Sequence, residues 1–393
     1  KASRNRARSV LVVAEIALSL TLLIGAGLMI RSFVVLLRAD FGVDPTNVIT
    51  IQLSLPNEKY PTENERNNAY NQLLSRIEAL PGVMRAGAIG NLPMGGSNNS
   101  HGMERIGQTL YPQGKQPSVS TAPITPGYLA AMGTRLIKGR NVTAQDMKDK
   151  PQVALVDEAF VNQYLPNQDP LGQTFKETGG APIEIIGVVT TAMNDDFEER
   201  PDAHTYKPYA QDAWRGMYLV IRGSADPSPL VAGVRAEVAA LDKTLPVFNV
   251  KPMEQVIAER MSPKRLVTFM MLAFALLALA LAAVGIYAVM SYSVTQRIHE
   301  IGIRLALGAQ SRDIFKLVVG QGLLLTMIGL GFGLAGAFGV TRALSGLLYG
   351  VATTDALTYV GISLLLAMIA LLACYIPARR ATKVDPMIAL RYE

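Results

Sequence analysis

The sequence predicts an α-helical membrane protein with four transmembrane helices and a large α+β extracytoplasmic domain between the first and second spans. Hydropathy is the first reason. Leu266–Ser291, Leu317–Val340 and Leu357–Pro377 contain no charged residue, and Val10–Ile30 contains one, Glu15. Each run supplies the roughly 20 mostly apolar residues that a bilayer crossing needs. Charge is the second reason. Residues 32–260 hold 21 Lys and Arg against 25 Asp and Glu, a net of −4, while the rest of the chain stands at +10 within a total of +6. Most of the excess base lies in three places: Lys1, Arg4, Arg6 and Arg8; Arg297, Arg304, Arg312 and Lys316; Arg379, Arg380, Lys383 and Arg391. Positive residues stay cytoplasmic, and four spans put all three clusters on one side and the 32–265 segment on the other. The third reason is that segment itself. At about 230 residues it can bury its own core, and with the single Cys374 placed in the last span it has no disulfide to lean on.

Taken in order, residues 1–38 form the first span and an outer stalk. The apolar run exceeds the ~7–15 residues of a signal-peptide core and is followed by Arg31-Ser32-Phe33 rather than a small-residue cleavage site, so it is read as a retained span. A chain that begins with Lys is expected to be a fragment or a processed product. Residues 39–252 form the external domain. In VITIQLSL (48–55), Ile49, Ile51, Leu53 and Leu55 alternate with Thr50, Gln52 and Ser54, the pattern of a half-buried strand. A helix follows with Tyr70, Leu73, Leu74, Ile77 and Leu80 at helical spacing, closed by Pro81-Gly82, and then a second strand, VMRAGAIG. The pattern recurs as a strand at 217–223, a helix at 229–241 and a strand at 247–250. Two strand–helix–strand units at the ends predict a split α+β layer with an inserted subdomain at about 91–214, itself holding strands at 152–157 and 183–190. Residues 253–393 supply the other three spans, entered through a stalk, PMEQVIAERMSPKR, whose Pro252 suits a helix start.

Few motifs carry chemistry. The phosphate-binding pattern G-x-x-x-x-G-K-[ST] is absent. His299-Glu300 opens like a zinc-binding H-E-x-x-H, but Ile303 stands where the second His belongs. GSNNSHG (96–102) sets serines beside His101 and reads as a solvated loop; the acidic run DDFEE (195–199) reads as an exposed loop. The acidic balance of the external domain, with the excess base in the membrane half, argues against nucleic-acid binding. Glu15 is the only acid inside a span. An intramembrane acid can serve a proton or substrate relay, but its place about two turns from the cytoplasmic end, on the face of Arg8, favours pairing with basic residues there. Seven glycines of the third span, among them Gly329 and Gly333, predict close helix packing.

Between the second and third spans lies HEIGIRLALGAQSRDIFK (299–316). Ile298, Ile301 and Leu305 fall on one side of a helix, with Arg297, Glu300 and Arg304 towards the other; Gly308 can end it and Ser311 can cap the next. Such a helix can lie on lipid or dock in a groove of a cytoplasmic partner, and periodicity alone does not choose.

EIGIRLALGA (300–309) resembles the permease signature of the MacB/FtsX superfamily of ABC transporters, and the tail IPARRATKVDPMIALRYE (376–392) resembles that family's ending. FGVDPTNVIT (41–50), VALVDEAFVNQYLPNQDPLGQTF (153–175) and IIGVV (185–189) are similar to its external domain. The resemblance implies a bacterial inner-membrane permease whose coupling helix, Glu300, Ile301, Gly302, Ile303, Arg304, Leu305, Ala306, Gly308 and Ala309, touches a separate cytoplasmic ABC ATPase. It further implies a C-terminal motif of Pro377, Arg379, Arg380, Asp385 and Pro386. No cofactor, metal or catalytic residue is expected in this chain, since ATP and Mg belong to the ATPase. A second permease unit is expected, as a homodimer or as the other half of a duplicated chain, together with membrane lipid and a periplasmic adaptor. RSVLVVAEIALSLTLLIGAGLMIRSF is most similar to the second half of duplicated permeases. Three functions follow: a permease that transmits force to its external domain for efflux or export, a regulatory permease that activates an envelope hydrolase or sensor, and a membrane-tethered enzyme using the 91–214 insert. The coupling helix supports the first two equally, and the lack of catalytic clusters weighs against the third.

Overall fold

Alternation along β1 (Val48–Ser54) sends Ile49, Ile51 and Leu53 into a core they share with Tyr70, Leu73 and Ile77 of α2 (Glu63–Glu78). A computed structural model describes residues 2–193, 202–307, 310–343 and 345–382, the side chains of 2–6, 8, 302, 305, 306 and 347 excepted. The helix α2 starts on a capping box: Thr62 Oγ1 accepts the Glu65 N–H at 3.3 Å, and Glu65 Oε2 accepts the Thr62 N–H at 3.0 Å. Such a cap is worth ~1 kcal/mol. After Gly82, whose φ of +88 suits glycine, the chain returns as β2 (Val83–Ile89). The second unit supplies β11 (Gly216–Gly223), α5 (Leu230–Leu241) and β12 (Val247–Pro252). The four strands interleave in the order β12-β1-β11-β2, with antiparallel neighbours. This is the split layer that the repeated strand–helix–strand pattern predicts. Val234 and Val238 of α5 complete its core.

The face carrying Thr50 is covered at one end only. Thr50 is 1% exposed and donates through Oγ1 to the Lys251 carbonyl at 3.0 Å, whereas Gln52 and Ser54 further along the same face are only partly buried. A strand's alternation reports side-chain polarity but not which elements later cover the polar face.

The insert contributes β3 (Ser100–Ile106), β4 (Thr109–Leu110), β5 (Ser118–Ile124), α3 (Tyr128–Met132), β6 (Leu136–Gly139), β7 (Val153–Asp157), α4 (Glu158–Tyr164), β8 (Thr174–Glu177), β9 (Pro182–Val189) and β10 (His204–Pro208). Its strands continue the same sheet, joined where Ile89 of β2 pairs with Ile124 of β5. The insert is therefore continuous with the layer in backbone hydrogen bonding, yet its core is separate, built on Phe160, Phe175, Ile183 and Ile185. The strands expected at 152–157 and 183–190 are β7 and β9. Residues 100–102, expected within the solvated loop 96–102, instead begin the strand β3, which pairs Ser100 with Ser120 and His101 with Val119. The run 195–199 lies outside the described residues.

Residues 40–262 form one compact unit, and residues 1–39 with 263–393 form another. Arg222 of β11 fastens the entry into the first of these. Its Nη1 donates to Asp44 Oδ2 at 2.9 Å, its Nη2 to the Asp44 carbonyl at 2.8 Å and its Nε to the Ala131 carbonyl at 3.0 Å.

Among the described residues four helices are long and apolar enough to span: α1 (Ala2–Leu37), α6 (Met253–Gln296), α8 (Ser311–Ala343) and α9 (Ala356–Ala381). The stalk after Pro252 and the second span are one continuous helix, α6, with Pro263 inside it. Glycines set how closely α1 and α8 approach. A Cβ on Gly329 would lie 2.7 Å from Ile16, and one on Gly333 2.8 Å from Leu20, whereas Gly331 faces open space. Thr21 Oγ1 donates to the Gly333 carbonyl at 3.2 Å across the same seam. The helix α9 starts on Asp355, which accepts the Thr358 N–H at 3.0 Å and pairs with Arg31 of α1.

Candidate functional site

The segment between the second and third spans folds as α7 (Ile298–Ala306), separated from α6 by Arg297 alone. Its apolar anchor is Ile301, 2% exposed. That side chain sits in a small cluster with Val294 of α6, Ile314 and Val318 of α8, and Ala378 and Ala381 of α9. The cytoplasmic ends of three spanning helices therefore meet on one residue of α7. The opposite face is polar and open. Arg304 Nη2 and Glu300 Oε1 are paired at 2.7 Å across one helical turn, with side chains 43% and 48% exposed. Such a pair is worth only ~0.2–0.5 kcal/mol to a helix, so it leaves two charges on display more than it holds the helix together. Ile303 (40%) and Leu307 (82%) are exposed beside them.

Several expected site residues find their place here. Glu300, Ile303 and Arg304 share the open side of α7, and Ile301 is its seat. Gly308 and Ala309 lie outside the described residues, as do the side chains of Gly302, Leu305 and Ala306. Ser311 is the first residue of α8 and not its cap; Asp313 instead reaches back to accept the Gln310 N–H at 3.2 Å. This is the reciprocal half of a capping box, in which the side chain at the third helical position accepts the N-cap backbone N–H.

Of the C-terminal motif, Pro377 is buried near the end of α9, while Arg379 and Arg380 are exposed. Arg380 Nη1 lies 3.4 Å from the Tyr287 hydroxyl of α6. Asp385 and Pro386 lie outside the described residues. The residues of this motif that meet α7 are the alanines, Ala378 and Ala381, which charge and motif reading passed over. Their spacing of three on a helix that ends in two arginines was the available signal.

Glu15 is half-buried on α1 against Gly285 of α6, where a Cβ would collide with its carboxylate. The side chain of Arg8, its expected partner, lies outside the described residues. In the external unit, His204 Nδ1 is 3.2 Å from Asp157 Oδ2, and both are buried. Asp157 also caps α4, accepting the Phe160 N–H at 2.8 Å, and receives the His204 N–H at 3.1 Å. This pair staples β7, α4 and β10 together. Among the described residues, no group of three or more His, Cys, Asp or Glu could hold a metal ion.

Comparison with known proteins agrees with four spans around an external α/β domain. The MacB-like periplasmic core domain matches residues 9–240, more than half of the chain, and the FtsX-like permease C-terminal domain matches residues 272–386. The chain belongs to the MacB/FtsX-like ABC transporter permease family. It is 27% identical over 307 residues to macrolide export ATP-binding/permease protein MacB 2 of Aeromonas hydrophila, covering 73% of this chain and 45% of that one. It is 26% identical to the uncharacterised ABC transporter permease YknZ of Bacillus subtilis, covering 69% of each. The chain thus spans about half the length of the MacB relatives it matches. The crystal structure of the periplasmic region of MacB from Actinobacillus actinomycetemcomitans aligns with 55% of this chain and 94% of its own length, at 18% identity and a TM-score of 0.37.

Proposed function

We propose that this chain is the permease subunit of an ABC transporter that converts ATP hydrolysis by a separate cytoplasmic ATPase into motion of the extracytoplasmic domain, for efflux or export. One observation carries the reading. The α7 helix rests on Ile301 among the ends of α6, α8 and α9, and turns Glu300, Ile303 and Arg304 outward. A partner that grips the outward face and shifts α7 by an ångström or two has to move the ends of all three helices, because a packed apolar cluster deforms little. The α6 helix continues without a break from this end to Met253 in the external unit, so it is the element through which such motion would travel. Relatives described as macrolide export ATP-binding/permease proteins support export as the kind of work done. The reading places the chain in the bacterial inner membrane, with a second permease unit and a periplasmic adaptor as further partners.

A photoreactive residue at Ile303, introduced in the native host, tests the reading. The expected adduct is an ABC ATPase. Arg304→Glu should abolish it and lower ATPase stimulation in the reconstituted complex at least tenfold, with membrane levels of the chain unchanged. If Ile303 captures only lipid and Arg304→Glu stimulates like the wild type, α7 is a lipid-surface helix and the reading fails.

A further inference from the structure

On the cytoplasmic side, α8 and α9 meet through two rings. Phe315 of α8 and Tyr375 of α9 pack edge to face, with ring centroids 6.0 Å apart and planes at 75°. Behind them Ile314, Val318, Ala378 and Ala381 close the seam between the two helices. The outer side of the seam is open, and Tyr375 is 47% exposed.

Helical spacing brings two arginines to this seam. The α8 helix starts at Ser311 and runs away from the cytoplasmic side, while α9 runs towards it and ends at Ala381. Arg312 stands three residues before Phe315, and Arg379 four residues after Tyr375. Each therefore lies about one turn to the cytoplasmic side of its ring, one arginine on either helix. Both are exposed, and so is Lys316, the next cation along α8.

The acids at this end are engaged elsewhere. Glu300 is paired with Arg304, and Asp313 accepts the Gln310 N–H. Among the described residues, neither Arg312 nor Arg379 has a carboxylate partner. Like charges on the two sides of one seam repel, and an anion set between them removes that cost. On the membrane side of the rings the surface turns apolar, with Leu372 63% and Ile376 51% exposed on α9. The seam thus runs from cations through rings to bare hydrocarbon within about three helical turns.

We propose that this seam binds an anionic phospholipid of the inner leaflet, with its phosphate between Arg312 and Arg379 and an acyl chain along Leu372. Guanidinium forks match the oxygens of a phosphate, and a tyrosine suits the headgroup level, where one end is wet and the other apolar. Basic pockets between spanning helices on the cytoplasmic side take such headgroups. An acidic protein surface would meet the cations but would leave Leu372 and Ile376 without a partner, so the order of the surface favours lipid. A lipid so held ties the start of α8 to the end of α9. The site rests on the sidedness drawn from charge and not on the coupling role of α7.

The probe is phosphatidylglycerol carrying a diazirine near its headgroup, with the matching phosphatidylcholine as the control of zero net charge, in nanodiscs holding the full chain. Cross-linked residues are mapped by mass spectrometry. Phosphatidylglycerol should label 311–316 and 375–380 several-fold more strongly than phosphatidylcholine. Arg312→Gln and Arg379→Gln should each lower that labelling about fivefold, the weight of one cation near an anionic surface. Arg342→Gln, in the last turn of α8 at its opposite end, should leave it unchanged. Equal labelling of the wild type by the two lipids, or labelling indifferent to both seam variants, would overturn the site. Millimolar inorganic phosphate should not displace the lipid; full displacement would make this a site for the free anion. If both variants lower ATPase stimulation equally in nanodiscs of phosphatidylcholine alone, the arginines meet protein and the lipid proposal falls.

Discussion

In β1 of the external unit, Ile49, Ile51 and Leu53 are 0–1% exposed, whereas in α6 Leu276, Leu277 and Leu281 are 54–61% exposed. The same kind of side chain is hidden in one region and displayed in the other. In the external unit, water drives burial, and each removed Å² of apolar surface contributes about 25 cal/mol. In the spans, lipid is as apolar as leucine, so burial of leucine brings little and small residues decide which helices touch. The contrast extends to pattern. Strand β1 and helix α2 have one apolar side and reveal their packing face, while the spans are apolar all round and do not.

That comparison can be tested from its strongest consequence downward. Leu219→Ala, in the core of the split layer, should destabilise residues 40–262 by about 2–5 kcal/mol. Leu277→Ala, on the outer side of α6, should change the stability of the full chain by no more than about 0.5 kcal/mol. Urea unfolding of the fragment and thermal unfolding of the nanodisc-embedded chain read the two. Comparable losses at both sites would mean that α6 is covered by protein and not by lipid.

The fragment itself is the next test. Residues 40–262 expressed alone should unfold in one cooperative transition, since their two cores use only residues of this unit. A non-cooperative melt would place part of that stability in the membrane helices.

Within the membrane, Gly329→Leu should overpack the α1–α8 seam and cost about 1–3 kcal/mol. Gly331→Leu, which meets open space, should leave the melting temperature unchanged. If both glycines tolerate leucine equally, the α1–α8 seam is not formed as described.

Acid sharpens the comparison from the water-exposed side. The Asp242 carboxyl is pulled down to about 2, first by the Thr244 backbone N–H, then by the Thr244 hydroxyl and the Lys59 ammonium. Asp146 is lowered as well, chiefly by the paired Arg140 guanidinium. A carboxyl whose folded pKa lies below its unfolded value of about 3.9 stabilises the fold above that pH and loses its contribution as pH falls through the folded pKa. Melting temperatures of the fragment should therefore drop between about pH 4 and pH 2. Asp242→Asn should flatten that slope while lowering the melting temperature at neutral pH; a slope unchanged by the substitution would remove Asp242 from the account.

The smallest effect belongs to α7. Glu300→Gln breaks an exposed pair worth ~0.2–0.5 kcal/mol and should leave the melting temperature of the full chain unmoved. A clear drop would give Glu300 a structural role that its exposure does not suggest.

Hydropathy runs, charge placement and two strand–helix–strand patterns were enough to draw four spans, their sidedness and a split layer with an insert. Each of these depends on residues near one another in the chain, through the period of a helix or strand or the cost of carrying charge across lipid. Strands β3 and β4 escaped because β4 has only two residues and β3, SHGMERI, shows little alternation of apolar and polar side chains. The coupling segment was legible as an amphipathic helix, but its seat was not.

What the sequence determined alone was therefore the four apolar spans, the two strand–helix–strand units and which side of the membrane the bulk of the chain occupies, since propensity, periodicity and charge act locally. Only the tertiary structure decided which glycines are seams, that Ala378 and Ala381 lie with Ile301, and that Thr50 is buried with its hydroxyl bonded to the Lys251 carbonyl of β12. Those are contacts between residues scores or hundreds of positions apart. They arise when packed surfaces meet, and nothing in the local chain records the meeting.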